Sequence, residues 1–249
     1  MLLQQRYARF KTGCIFKRLS LSFVQTTGLG FIAMRPKIQS SQAPLAGHRA
    51  QLFRRLACNF TYGVNAIVLG DDRLERASLV NDATKLVNPS DVQTVYFSVV
   101  SCQTLKEWLE IQATALIKAT STTQEDWIDN AKTRLAFVGF QVPTESAFEA
   151  TFRLTLAGEP TKSAIMAVQA LPQYYAERDH RQWVVCMDGF DRLLKLDDDN
   201  LTFQKLCRTV WQHQRDVTYY CLTGAKTMGT MFLTQRHPLY LFGDIINVD

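Results

Sequence analysis

Apolar positions in this chain follow two periods. Short continuous runs alternate with stretches in which apolar residues recur every three or four positions. Ala66-Ile67-Val68-Leu69 is a short apolar run closed by Gly70, and it reads as a buried strand. Residues 49–59 read as a helix before it and Asp71–Leu86 as a helix after it. Thr94–Val100 (TVYFSVV) is rich in β-branched and aromatic residues and predicts a second strand. Thr104-x-x-Glu107 fits a capping box. Leu105, Trp108, Leu109, Leu116 and Ile117 then share one helical face. Thr122-x-x-Glu125 predicts the cap of the next helix, with Trp127, Ile128, Ala131 and Leu135 on its apolar face.

Phe148 to Leu156 alternates strictly, with Phe148, Ala150, Phe152, Leu154 and Leu156 on one side. That predicts a half-exposed strand in a hairpin with Phe137–Val142. Helix is expected from about Lys162, with Pro172 ending or kinking it. Trp183–Met187 (WVVCM) suits a strand buried on both faces and ends in Asp188. Phe203, Leu206, Cys207, Val210 and Trp211 mark a further helix. Val217–Leu222 and Tyr240–Val248 predict the last strands. The alternation of strand and helix implies an α/β fold: a three-layer domain with a mainly parallel sheet, plus a small β-hairpin insertion.

Composition fits a folded protein: of 249 residues, 47% are hydrophobic and 20% charged. The pattern contains no apolar stretch long enough to span a membrane. Charge changes the picture more. Residues 1–70 hold ten Lys or Arg and no Asp or Glu, so the net +5 hides a basic front and an acidic remainder. Residues 1–43 are expected to be a poorly ordered basic extension, with 1–33 upstream of a natural domain entry at Met34. A nucleic-acid partner through residues 1–70 is the functional alternative. The six cysteines are widely spaced, and Cys102, Cys186, Cys207 and Cys221 lie in or beside apolar runs. They read as buried free thiols of a cytoplasmic protein. The four histidines lack metal-ligand spacing.

The candidate chemistry sits at strand ends. Gly70-Asp71-Asp72-Arg73-Leu74-Glu75-Arg76-Ala77-Ser78 has the strand–loop–helix setting of a GxxxxGK[ST] phosphate loop. Glu75 stands at the second glycine, Arg76 at the lysine and Ala77 at the Ser/Thr. Gly70, Arg73, Arg76 and Ser78 are the candidate phosphate-binding residues. Asp188, after Val184-Val185-Cys186-Met187, has the pattern of a Walker B aspartate that holds Mg²⁺ through water, but Gly189 replaces the glutamate that activates water. Thr223-Gly224-Ala225-Lys226 is a third polar strand end, and such ends converge at one edge of a parallel sheet.

With these residues in view, Pro44 to Asp249 resembles the P-loop ATPases of the AAA+/STAND superfamily, in particular the prokaryotic archaeal-ATPase-like group. Leu45-Ala46-Gly47-His48 is similar to that group's Gly-Arg entry box. Gly70 to Leu79 is similar to GPRRxGKTSL, agreeing at Gly70, Arg73, Ser78 and Leu79. Met187 to Asp191 is similar to IDEFQ, keeping Asp188 and Phe190. Further agreement lies in Val210–Gln214, Val217–Tyr220, Gly224-Ala225-Lys226 and Arg236–Asp244. The resemblance implies a P-loop core over 44–249 without the helical lid and winged-helix module that follow in the family. It implies ATP or ADP with Mg²⁺ as cofactor, weakly held, and a nucleotide-biased switch that acts on a protein partner. Three readings follow: a catalytically degenerate nucleotide-binding or interaction module, an active ATPase using Arg76, Ser78 and Asp188 with Asp191 as base, or a nucleic-acid-binding protein using residues 1–70.

Overall fold

The structure, a computed structural model, describes residues 47–144, 151–214 and 217–248. The expected basic extension 1–43, Leu45 and Ala46 of the entry box, and the start of the alternating strand at Phe148–Ala150 lie outside the described residues. The described chain opens with α1 (His48–Tyr62), which Gly63 ends in the left-handed conformation. Then come β1 (Ala66–Leu69), α2 (Arg73–Thr84) and β2 (Val92–Ser98). α3 (Leu105–Lys118), α4 (Gln124–Leu135), a β3–β4 hairpin (Phe140–Gln141 and Thr155–Leu156) and α5 (Lys162–Asp179) follow. β5 (Gln182–Asp188), α6 (Leu193–Leu196), α7 (Thr202–Trp211), β6 (Thr218–Gly224), α8 (Gly229–Leu233) and β7 (Asp244–Asn247) complete the domain.

The main sheet has the order β2-β5-β6-β1-β7, with every neighbouring pair parallel. Consecutive strands β1 and β2 are thus separated by β6 and β5, and the chain returns to the far side of β1 only at β7. Alternation along each strand feeds two cores. Ala66, Val68, Val184, Cys186, Cys221 and Ile246 pack with Leu56, Phe60, Leu79 and Val80 of α1 and α2. Ile67, Leu69, Phe97, Val185, Met187 and Leu222 pack with Trp108, Leu116, Val168 and Phe203 of α3, α5 and α7. A sheet with both faces covered explains why β1 and β5 are almost continuously apolar.

The element boundaries correct the sequence reading in several places. The cap of α4 is Thr123, whose hydroxyl accepts from the Asp126 amide at 3.3 Å, not Thr122. Pro172 does not end α5, which runs seven residues beyond it. Leu171, Pro172, Tyr175 and Ala176 are all buried there, so packing outweighs the one backbone bond that proline removes. The hairpin ladder is only Phe140↔Leu156 and Gln141↔Thr155. Around it, side chains of α3 replace a strand neighbour: Glu110 accepts from the Leu156 amide at 2.9 Å and Thr114 from the Leu154 amide at 3.0 Å.

The segments around α7 and β6 serve the core. Gln112 and Gln169 pair reciprocally at 2.9 and 3.0 Å, and Trp211 donates its indole N–H to Gln169 at 3.0 Å. Gln214 donates to the Gln169 carbonyl and accepts from the Tyr220 hydroxyl. Trp211 and Tyr220 stack with centroids 4.2 Å apart. At the other end, Arg55 and Asn59 of α1 hold Asp244 at the start of β7. No helix among the described residues is long and apolar enough to cross a membrane.

Candidate functional site

The ends of β1, β5 and β6 meet where the chain order along the sheet reverses, the usual ligand crevice of an open parallel sheet. Backbone bonds fix them together: Gly70 N–H to Gly224 O at 3.3 Å, Gly189 N–H to Thr223 O at 3.0 Å, and Val99 N–H to Asp188 O at 2.9 Å. Asp188 lies at their centre and is fully buried.

Its carboxylate is already surrounded. Oδ2 accepts from Arg73 Nε at 2.8 Å and from the Ser98 hydroxyl at 3.1 Å. Oδ1 accepts from the Thr223 hydroxyl at 3.0 Å, and Arg76 Nη2 stands 4.0 Å away. Arg73 Nη2 also donates to Ser98 Oγ at 3.1 Å, and Arg76 Nη1 donates to the Gly70 carbonyl. The hydrogen bond and charge of Asp188 raise the Arg73 guanidinium further above its already high range. Burial, then Asp188, also pushes up the nearby Tyr96 phenol.

Gly70, Arg73, Arg76 and Asp188 therefore come together. Ser78 does not join them: it sits further along α2 and accepts from Arg49 of α1 at 2.7 Å. Asp191 stands at the rim, its Oδ1 within 2.6 Å of where a side chain on Gly224 would begin. Lys226 bridges to Asp71, by its amide at 3.3 Å and its ammonium at 3.7 Å. Thr223 belongs to the third polar strand end expected to converge here, whereas Ser98 is not among the expected residues. The available signal was a hydroxyl at the C-terminal end of each strand beside β5.

The local backbone differs from a phosphate loop. Helix α2 begins at Arg73, three residues after Gly70, so Glu75, Arg76, Ala77 and Ser78 are helical rather than part of a loop. Asp72 caps that helix, its Oδ1 accepting from Leu74 N–H at 2.8 Å and Glu75 N–H at 3.2 Å. A phosphate cradle needs successive backbone N–H groups directed at the anion. Here two of those donors serve a carboxylate of the chain itself. The Asp188 oxygens that would hold a metal's water are bonded to Arg73, Ser98 and Thr223. These residues do not fit a magnesium–nucleotide complex. Among the described residues no group of three or more His, Cys, Asp or Glu is placed to hold a metal ion.

Gly189, at the position of the missing glutamate, has its own structural reason. Its φ is +84°, a region most side chains avoid. A Cβ there would lie 3.0 Å from the Val100 backbone nitrogen and against the Val100 side chain.

No protein-family model matches the chain, and no curated protein matches it. Solved structures do. The Orc1 protein of Aeropyrum pernix, solved in complex with DNA, is 12% identical with a TM-score of 0.52, over 82% of this chain and 46% of that one. A Walker-type ATPase of Pyrococcus abyssi is 13% identical with a TM-score of 0.47, over 81% of this chain and 53% of that one. The chain spans about half the length of each. At such identities the likeness is one of fold alone: a three-layer α/β domain with a mainly parallel sheet, similar to that of the Orc1 protein.

Proposed function

We propose that this protein is a catalytically degenerate member of the AAA+/STAND ATPases, a cytoplasmic binding or regulatory module that works without nucleotide turnover. Its core is assigned to residues 44–249, with 1–43 as an extension. The observation that carries the reading is the sealed Asp188. A carboxylate that must exchange metal and water during turnover cannot also be the fixed acceptor of Arg73, Ser98 and Thr223. The early start of α2 at Arg73 supports the same reading, because it removes the loop that would wrap a phosphate chain. Function then rests on a protein partner rather than on a chemical cycle.

Calorimetric titration with Mg-ATP and Mg-ADP tests this, together with thermal melting. The expected result is no saturable heat and no rise in Tm at millimolar nucleotide. A ligand present at a hundredfold excess over Kd would add about 2.7 kcal/mol, a shift of roughly 5–10 °C for a domain of this size. Turnover that disappears in Asp188→Asn would overturn the proposal in favour of an ATPase using Arg76, Ser78 and Asp188; such a shift without turnover would make the degenerate module a nucleotide-binding one.

A second reading rests on the charge segregation, ten basic and no acidic residues in 1–70. It makes this front a nucleic-acid contact, in line with the DNA bound to the Orc1 protein of similar fold. It predicts DNA binding that weakens steeply with salt and is lost when residues 1–43 are deleted.

A further inference from the structure

β2 is an edge of the main sheet, and no described strand pairs with its outer side. Its backbone register shows which groups are left over. The Asp91 carbonyl accepts from Gln182 and the Val99 amide donates to Asp188. Odd-numbered residues of this strand therefore point at β5, and even-numbered ones point outward. Thr94, Tyr96 and Ser98 thus direct both N–H and C=O away from the sheet. In keeping with this, the Thr94 carbonyl meets only the amide of the adjacent Gln93 side chain, at 3.4 Å.

Edge strands are normally protected by charge, proline, a bulge or shortness. β2 has none of these. It is seven residues long, and no Lys, Arg, Asp, Glu, Pro or Gly occurs from Val92 to Leu105. It is also symmetric about Tyr96: Thr94-Val95-Tyr96-Phe97-Ser98 reads hydroxyl, apolar, tyrosine, apolar, hydroxyl in both directions. Tyr96 is 47% exposed in the middle of it.

We infer that β2 is a homodimer interface, in which two copies pair antiparallel about a twofold axis at Tyr96 and join their sheets into one. In that register Tyr96 faces Tyr96 of the second copy, and Thr94 faces Ser98 in both directions. Each of these pairs exchanges two hydrogen bonds between outward-pointing groups. Aromatic pairs are among the favourable cross-strand combinations; the Ser98 hydroxyl stays with Asp188 and Arg73, so Thr94 and Ser98 meet through their backbones. A self-pairing strand must carry no charge near its axis, because each charge would stand close to its own copy. The strand itself carries no charge, and the guanidinium beside it, Arg73, is paired with Asp188, which is why a second copy fits this edge better than a charged peptide. Val95 and Phe97 are already buried in the domain core, so the contact is built from backbone and the Thr94–Tyr96–Ser98 row. The inference is independent of the nucleotide question.

Sedimentation equilibrium of the full chain over a wide concentration range tests it, together with amide hydrogen exchange. The expected mass is twice 28.4 kDa. The amides of Thr94, Tyr96 and Ser98 should gain protection as concentration rises. Thr94→Pro removes an outward donor but no bond to β5, and Tyr96→Lys sets two ammonium groups against each other. Each should weaken the dimer at least tenfold while leaving the circular dichroism and melting of the monomer intact. The tyrosine variant keeps the test valid if the proline variant does not fold. A chain that stays monomeric throughout, or a dimer unchanged by both variants with these amides unprotected, would refute the inference.

Discussion

Replacing Asp188 by asparagine separates two physical accounts of the site. Asparagine keeps the size of the side chain and deletes its charge. Arg76 has a side chain only 5% exposed. Its cation is compensated by Asp188 at 4.0 Å and by the Gly70 carbonyl. Breaking a buried pair by removing one partner costs about 3–5 kcal/mol, because the remaining charge is left desolvated. The asparagine amide would also present N–H groups towards guanidinium N–H groups or towards the Thr223 hydroxyl. The expected loss is therefore about 3–5 kcal/mol, or roughly 6–20 °C in Tm for a domain of about 200 residues. Arg73→Ala should cost about 1 kcal/mol or less, since that side chain is 53% exposed and its ion pair is screened.

Urea unfolding followed by circular dichroism reads both variants, with an unchanged m-value as the sign that only stability moved. Arg76→Met combined with Asp188→Asn should recover much of the loss, because both buried charges are then gone. A carboxylate poised for a metal behaves in the opposite way. It is held at a cost in the empty site, and neutralising it stabilises the protein. An Asp188→Asn variant as stable as the parent, or more so, would refute the account of Asp188 as a structural anion.

Three further outcomes are expected. Gly189→Glu, which restores the residue type usual beside a Walker B aspartate, should yield no ATPase activity in a phosphate-release assay. It should also lose about 2 kcal/mol or more, since residue 189 has φ +84° and lies against Val100. Gln169→Leu leaves the Gln112 amide and the Trp211 indole N–H unpaired in the core. It should cost about 2–5 kcal/mol in denaturant unfolding, while adding Gln112→Leu should cost less than the sum of the two changes. Burial holds His237 below the ordinary imidazole value of 6.5, against a smaller opposing pull from Asp197. The unfolded chain thus takes up a proton first as pH falls through about 6.5, so stability should drop from there down to the lower folded value, and His237→Gln should flatten that limb of a Tm–pH curve.

Most elements were legible because they rest on local patterns. Ala66–Leu69 and Trp183–Met187 are apolar without interruption because both faces of the sheet are covered. Trp127, Ala131 and Leu135 repeat every four residues because one face of α4 is buried. Two kinds of feature escaped. Where two signals compete locally, sequence cannot rank them: Thr122 and Thr123 are both capping residues, and only the hydrogen bond decides. Likewise Asp71–Leu86 read as helix while the phosphate-loop template counted across the same residues from Gly70, and only the Asp72 cap fixes the start at Arg73. The other kind is non-local. Ser98 lies 90 residues from Asp188, and its hydroxyl at the end of β2 becomes a signal only once the strand order β2-β5-β6 is known.

A carboxylate at the buried end of a sheet requires a positive neighbour, whatever its history. A metal–nucleotide complex can supply that charge, but only while it is bound. Arg73 and Arg76 supply it from within the chain, and Ser98 and Thr223 take two more of the carboxylate's acceptor sites. The two arrangements compete for the lone pairs of Asp188. The arginine arrangement also ties α2 to β2, β5 and β6 through one side chain. Under the proposed reading, the residues that compete with a metal for Asp188 are the ones that fasten α2 to the sheet, so single substitutions that introduce a motif residue are expected to lower stability before any chemistry appears.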